Sequence, residues 1–380
     1  MRPDLIPNLD PNPLPAPFWV FKLLLVVTFF LHILAMNAML GGAILALTAK
    51  WRAKEPHSHR LFADIAKKLP SLLPATITIG IAPLLFVQVI YGQFIYTSSI
   101  IVAWPWLLVL LFLLIAYYGF YFASFQSGKQ PGKAALAMFF SVFLALVIGF
   151  TYSNNFTLAQ NPTQWAQKYL KDPSGWNLNL AEPSLIPRYL HFVIAAIAVG
   201  GLLLMFLAAS KWRTDREYAD EVLRFGGKAF LYATMAQFVV GFWFLFSLPR
   251  DIRMIYLGDY PLASGLLAVG VAAAIGAIFL ASEALRTRNI RVAAVYLPGI
   301  TAVLILVMSV MRELLRDAYL KPYFHPEQMR VETQWSVFPL FLALFVGGVV
   351  LWLIMLKRYG LFSGSAGPSI KASPVAGELK

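Results

Sequence analysis

The chain has 380 residues, of which 59% are hydrophobic and only 13% are charged, and its mean hydropathy is +0.69. Soluble domains carry about 25% charged residues, so this composition excludes a soluble globular protein and predicts a polytopic membrane protein. The net charge of +13 does not indicate a nucleic-acid partner, because the basic residues lie between apolar runs rather than on one face. The sequence has no cysteine, which excludes disulfides, thiolate-ligated iron–sulfur clusters and covalently attached haem.

Nine apolar runs follow one another along the chain, each close to the roughly 20 residues that a membrane helix needs. They are predicted at 18–49, 71–96, 100–125, 134–153, 188–210, 226–248, 261–285, 292–312 and 335–356. The predicted fold is therefore all-α, a polytopic membrane helix bundle with about nine transmembrane helices. Residues 18–360 are predicted to form this membrane domain. A Pro-rich extracytoplasmic leader at 1–17 precedes it, and a disordered cytoplasmic tail at 361–380 follows it.

The distribution of basic residues predicts the orientation of the bundle. About two thirds of the 31 Lys and Arg residues lie in one alternating set of connections and in the C-terminal segment. This set is 50–69, 126–133, 211–228, 286–291 and 357–380. Connections rich in Lys and Arg face the cytoplasm, so the N-terminus is predicted outside and the C-terminus in the cytoplasm.

Two of the five histidines lie inside apolar runs, His32 in the first and His191 at the outer end of the fifth. Titratable side chains at bilayer depth are rare and usually find a partner inside the bundle. Neutral imidazole is a common axial ligand of haem iron, so we interpret both histidines as candidate haem ligands. For each of them, a histidine that is only packed or bonded to a backbone carbonyl is the competing interpretation.

The outer end of the eighth run carries Met311, Arg312, Glu313 and Arg316. Anionic oxygen groups can ligate haem iron, which makes Glu313 a third candidate ligand. Arg312 and Arg316, together with Arg188 beside His191, are candidate partners for haem propionates. An interfacial ion pair is the competing interpretation of Glu313, and core packing is that of Met311.

Five stretches, in this order on a nine-span chain, resemble subunit I of the cytochrome bd quinol oxidase family. They are Phe29-Phe30-Leu31-His32 with Gly41-Gly42, Phe86-Val87-Gln88 with Tyr91-Gly92, Tyr152-Ser153-Asn154-Asn155 with Gln160-Asn161-Pro162, Arg188-Tyr189-Leu190-His191, and Arg312-Glu313-Leu314-Leu315-Arg316. The resemblance implies that His32 and Glu313 each hold one of two closely spaced high-spin haems, and that His191 holds a low-spin haem. The expected cofactor is haem b, in one to three copies, with a haem d-like site as an open alternative.

The chain also departs from that family. The seventh run, 261–285, has no methionine to complete the low-spin haem, and the third run has no pair of glutamates. The connection before the seventh run is short where the family has a large quinol-binding loop. Whether the chain reduces oxygen or oxidises quinol is therefore left open.

The expected function is that of a membrane-embedded b-type cytochrome, an oxidoreductase subunit in a respiratory chain of the bacterial inner membrane. The expected partners are a second integral membrane subunit, a c-type cytochrome docked on the outer connection 154–186, and a quinone, but no nucleic acid. Two alternatives stay open. The first is a quinone-reactive haem anchor for an extrinsic partner such as a cytochrome c, and the second is a haem-free structural subunit or transporter.

Overall fold

The computed structural model describes residues 13–52, 57–325 and 329–358. The helices of these ranges are α1 Phe18–Trp51, α2 Ser58–Ala66, α3 Leu69–Ile101, α4 Ala103–Gln126, α5 Pro131–Ala159, α6 Trp165–Lys171, α7 Leu185–Lys211, α8 Arg216–Ser247, α9 Arg250–Met254, α10 Pro261–Thr287, α11 Leu297–Leu320 and α12 Val337–Arg358. Nine of the helices in these ranges are long and apolar enough to cross a membrane. The predicted nine-span, all-helical bundle is confirmed. Most of the predicted leader and all of the predicted tail lie outside the described residues.

Several helices extend beyond the apolar runs, because hydropathy marks only the part of a helix that lies in the membrane. α8 begins at Arg216, about ten residues before its predicted start, and the side chain of Asp215 accepts a hydrogen bond from the Tyr218 amide. Such an N-cap satisfies a free amide of the first turn. A hydrogen bond from Arg60 of α2 lowers the pKa of the Asp215 carboxyl below its ordinary value, so α2 is fixed to the start of α8.

The centre of the bundle is formed by α1, α7 and α8, and α7 has the largest buried share among the described spans. α4 pairs with α5 on one side, and α10 pairs with α11 on another. α12 lies at the edge, with none of the residues in its most apolar window buried. On the predicted outer side, the amide of Leu14 donates to the Arg330 carbonyl over 2.8 Å, so the described residues just before α1 are fixed to the segment before α12.

The contact between α1 and α7 depends on glycine. A Cβ added at Gly41 would lie 1.7 Å from the carbonyl oxygen of Ala196, and one added at Gly200 would lie 2.3 Å from the Gly41 carbonyl carbon. Small residues that let two backbones approach closely are typical of packed membrane helices. This close approach also fixes where α7 can present His191.

We expect Gly41→Ala to lower the free energy of unfolding by about 1–3 kcal/mol, the usual cost of overpacking, because the Ala196 carbonyl leaves no room for a methyl group. Chemical denaturation of the purified protein in detergent measures this change. The matched control is Gly132→Ala in α5, where an added Cβ meets nothing within 4 Å. Gly132→Ala should be neutral or stabilising by up to about 1 kcal/mol; equal losses in both variants would contradict the packing argument.

Candidate functional site

A cavity of about 290 Å³ lies between α1, α7, α8, α10 and α11. This volume is close to the lower end of the range for small-molecule and cofactor sites, roughly 300–1,000 Å³. Its walls are mostly apolar, and its polar lining includes Asn37, Gln160, Arg188, His191, Gln237 and Arg312. The cavity therefore combines an apolar body with a small number of polar groups, as ligand sites do.

Two glycines give the cavity part of its shape. A Cβ at Gly241 of α8 would lie 3.4 Å from Cε1 of His191, and a Cβ at Gly270 of α10 would lie 2.7 Å from the terminal methyl of Met308. Gly241 thus accommodates the imidazole ring, and Gly270 accommodates a thioether side chain from α11.

His191 enters the cavity from α7 with an unpaired ring nitrogen. Its Nδ1 is buried and has no hydrogen-bond partner among the described residues. The side chain of Gln237 on α8 holds the backbone next to the ring, since its Nε2 donates to the His191 carbonyl over 2.7 Å. Most buried polar atoms of native proteins are paired, so the environment of this ring is incomplete among the described residues.

Arg188, one turn before His191, is a buried cation without an anion. The residue is only 8% exposed, and its Nη1 donates to Oε1 of Gln160 over 2.9 Å. Its Nε and Nη2 have no hydrogen-bond partner, and no carboxylate of the described chain forms an ion pair with it. A buried charge that is not compensated is costly, so an anionic group of a ligand would stabilise this end of the cavity.

Next to the cavity, α1, α3 and α11 share a set of ionic side chains that we call the outer ion-pair cluster. It consists of Lys22, Tyr91, Arg312, Glu313, Arg316 and Asp317. Arg316 donates to both carboxylate oxygens of Glu313, over 2.7 and 2.8 Å, and Arg312 donates to one of them over 2.9 Å. Lys22 donates to Asp317 over 2.7 Å and lies 3.5 Å from Glu313. The Tyr91 hydroxyl donates to Asp317 over 2.6 Å.

Four cations lie in this region. Three of them, Lys22, Arg312 and Arg316, form ion pairs with Glu313 or Asp317, and the fourth, Arg188, forms none among the described residues. Two of the cations, Arg188 and Arg312, line the cavity. Carboxylates of a ligand would stabilise them.

His32 lies on another side of α1, against α3. Its Nδ1 is 3.1 Å from the Thr76 carbonyl oxygen. A carbonyl can only accept, so Nδ1 carries the proton and Nε2 keeps its lone pair. The ring packs on Gly80, where an added Cβ would lie 2.6 Å from Cε1.

The predicted site residues thus fall into two groups. His191, Arg188, Arg312 and Met311 line the cavity. His32, Glu313 and Arg316 are not among its lining residues, and the last two lie behind Arg312 in the outer ion-pair cluster. Asn37 and Gln237 also line the cavity, although no site role was predicted for them. A polar amide inside an apolar run was the feature of the sequence that could have indicated one.

The residues of the cavity fit a haem. The imidazole of His191 suits a haem-iron ligand, and the apolar walls suit the macrocycle. Arg188, which has no ion-pair partner among the described residues, and Arg312, which also lines the cavity, suit the propionates. Within the described ranges no three His, Asp or Glu side chains are grouped as a bare metal ion would require.

No family model and no curated protein matches the sequence. Among solved structures, the chain is similar to a chain of bd oxidase from Geobacillus thermodenitrificans, with a TM-score of 0.63 and 11% sequence identity. The similarity covers 92% of this chain and 100% of that chain. At this identity the likeness shows the fold alone, so the expected resemblance is confirmed as a bd-oxidase-like fold.

Proposed function

We propose that the protein is a membrane-embedded b-type cytochrome, a bd-oxidase-like subunit that transfers electrons in a respiratory chain of the bacterial inner membrane. The observation that carries this proposal is that one apolar cavity is lined by both the His191 imidazole and the buried Arg188, which has no ion-pair partner in the described part of the chain. A haem would offer iron to the imidazole and a carboxylate to the guanidinium.

Each residue then has a defined task. His191 binds the iron through a ring nitrogen, and Arg188 and Arg312 bind the propionates at the outer end. Met311 and the apolar walls contact the macrocycle and exclude water, which lowers the polarity around the iron and so tunes its potential. A bound haem supplies one-electron redox chemistry.

His32 and Glu313 are proposed as ligands of further haems. The Nδ1–H of His32 already donates to the Thr76 carbonyl, and metal-bound histidines usually donate their other N–H to a carbonyl or carboxylate. Glu313 would have to exchange at least one hydrogen bond from Arg312 or Arg316 for the iron.

The proposed partners follow from the exposed surfaces. Trp104 and Trp176 stack on the outer side with ring centroids 6.1 Å apart, and they are 49% and 55% exposed. Trp176 belongs to the connection 154–186, where a c-type cytochrome is proposed to dock, and Trp104 of α4 lies beside it. The exposed apolar side chains of α4 and α12 are proposed to pack on a second integral subunit.

A quinone-reactive haem anchor is the second candidate. Asn37 lines the cavity, is 1% exposed, and its Oδ1 has no donor among the described residues. A quinol hydroxyl could donate to this oxygen. A neutral quinone would leave Arg188 uncompensated, however, so we place this candidate after the first.

We expect purified protein to contain at least one haem b per chain, because one cavity combines a histidine, two arginines and apolar walls. Pyridine-haemochrome analysis against the protein concentration measures the ratio. A ratio near zero after expression with sufficient haem supply would overturn the proposal and favour the haem-free structural subunit or transporter. Quinol-dependent oxygen uptake of the isolated complex then separates an oxidase from an electron-transferring anchor.

A further inference from the structure

Two unpaired polar atoms lie on neighbouring side chains of the cavity wall. One is Nδ1 of His191 on α7 and the other is Oε1 of Gln237 on α8; both are buried and have no partner among the residues that the structure describes. A neutral imidazole nitrogen can donate and an amide oxygen can only accept. The two atoms therefore complement each other.

The orientation of the Gln237 amide is fixed by its other contact. Its nitrogen must face the His191 carbonyl, which it reaches over 2.7 Å, because that carbonyl cannot donate. The amide oxygen is therefore the atom without a hydrogen-bond partner. It belongs to a side chain that is already bonded to the backbone of His191.

The imidazole presents its Nδ1 edge to the same face of α8. A Cβ added at Gly241 would lie 3.4 Å from Cε1 and 3.6 Å from Nδ1 of His191, with Nε2 farther away. Gly241 is one helical turn after Gln237, and residues four apart lie on the same helix face. Nδ1 thus faces the stripe of α8 that carries Gln237, and Nε2 is the nitrogen directed away from it.

We propose that Gln237 is a positioning residue for His191: when Nε2 binds iron, Oε1 of Gln237 accepts the hydrogen bond from the Nδ1–H. This inference rests on the proposed haem function. Metal-bound histidines almost always donate their second N–H to a carboxylate, a carbonyl or water, and this bond fixes the tautomer and raises the basicity of the ligand. With its nitrogen on the backbone and its oxygen on the ring, Gln237 would hold His191 at two points.

The test compares Gln237→Leu, Gln237→Glu and wild type in the haem-loaded complex. Both variants alter the amide that holds the His191 carbonyl, but only Gln237→Glu keeps an acceptor for the ring. We expect Gln237→Leu to weaken haem binding roughly 10- to 100-fold and to raise the midpoint potential of the haem. Gln237→Glu should lower that potential, because a carboxylate withdraws the Nδ1 proton further and makes the imidazole a stronger donor to iron.

The matched control is Ser247→Ala. Ser247 lies on the same helix but is not among the residues that line the cavity, and its hydroxyl donates to the Phe244 carbonyl over 2.7 Å. The potential and haem affinity of this variant should equal those of wild type. An unchanged potential in Gln237→Leu, or shifts of the same sign in both Gln237 variants, would overturn the positioning role while leaving the haem site intact. Absence of haem from the wild type would instead overturn the proposed function itself.

Discussion

Replacement of His191 by alanine should remove the low-spin haem from the protein and, with it, a low-spin component of the Soret band. The alanine side chain offers no donor to iron, and the apolar walls that remain cannot replace the axial bond. Reduced-minus-oxidised optical spectra of the purified variant, together with its haem-to-protein ratio, measure the loss. We expect the ratio to fall by one haem per chain if no other side chain replaces His191 as the iron ligand.

His59→Ala is the control for this experiment. His59 lies in α2, on the predicted cytoplasmic side, and its Nδ1 is 2.6 Å from Nζ of Lys50. It is not among the residues that line the cavity. Its removal should leave spectrum and haem content unchanged. A His191→Ala protein that folds and keeps the wild-type spectrum would show that His191 does not ligate the haem, whatever other haem the chain holds.

The number of spans could be predicted from the sequence, because the signal is local. A run such as 188–210 is apolar over its whole length, and the cost of leaving backbone groups unpaired in lipid makes a helix its only stable form. The start of α8 at Arg216 could not be read from hydropathy, since that part of the helix lies outside the apolar run and begins at a side-chain cap on Asp215.

The direction in which each buried polar side chain points could not be predicted, because it depends on contacts between helices that are distant in the sequence. His32 and His191 carry the same signal in the sequence, an imidazole in an apolar run. His32 is bonded to the Thr76 carbonyl of α3, whereas His191 faces the cavity beside Gln237. The helix that packs against each histidine decides the difference, and the histidine's own sequence neighbours do not show which helix that is.

The environment of Glu313 likewise depends on helices that are distant in the sequence. An acid between two arginines on one helix predicts either an ion pair or a ligand, and residues three apart on a helix are neighbours in both cases. Two further contacts could be found only in the tertiary structure. Lys22 of α1 binds Asp317 and lies near Glu313, and Tyr91 of α3 donates a hydrogen bond to Asp317. These contacts turn a local pair into the outer ion-pair cluster and connect α11 to the N-terminal half of the bundle.

Glu313→Gln should therefore destabilise the fold by about 3–5 kcal/mol, the usual cost of breaking a buried ion pair by removing one partner. The side chain of Arg316 is only 3% exposed, so it would stay buried with its charge uncompensated. Denaturation of the haem-loaded complex in detergent measures the change in the free energy of unfolding.

Glu283→Gln provides the comparison, because Glu283 pairs with Arg286 three residues away on α10, but with side chains that are 29% and 76% exposed. Solvent weakens such a pair to about 0–1 kcal/mol, so the two variants should differ several-fold in the loss of unfolding free energy.

The haem content of Glu313→Gln then separates the two proposed roles of this residue, ion pairing and iron ligation. Loss of stability with an unchanged high-spin signal assigns Glu313 to the ion-pair cluster, and loss of that signal assigns it to iron as well. Equal stability of both variants would contradict the cluster's part in holding α11 on α1, since Arg316 would then tolerate its buried charge without a partner.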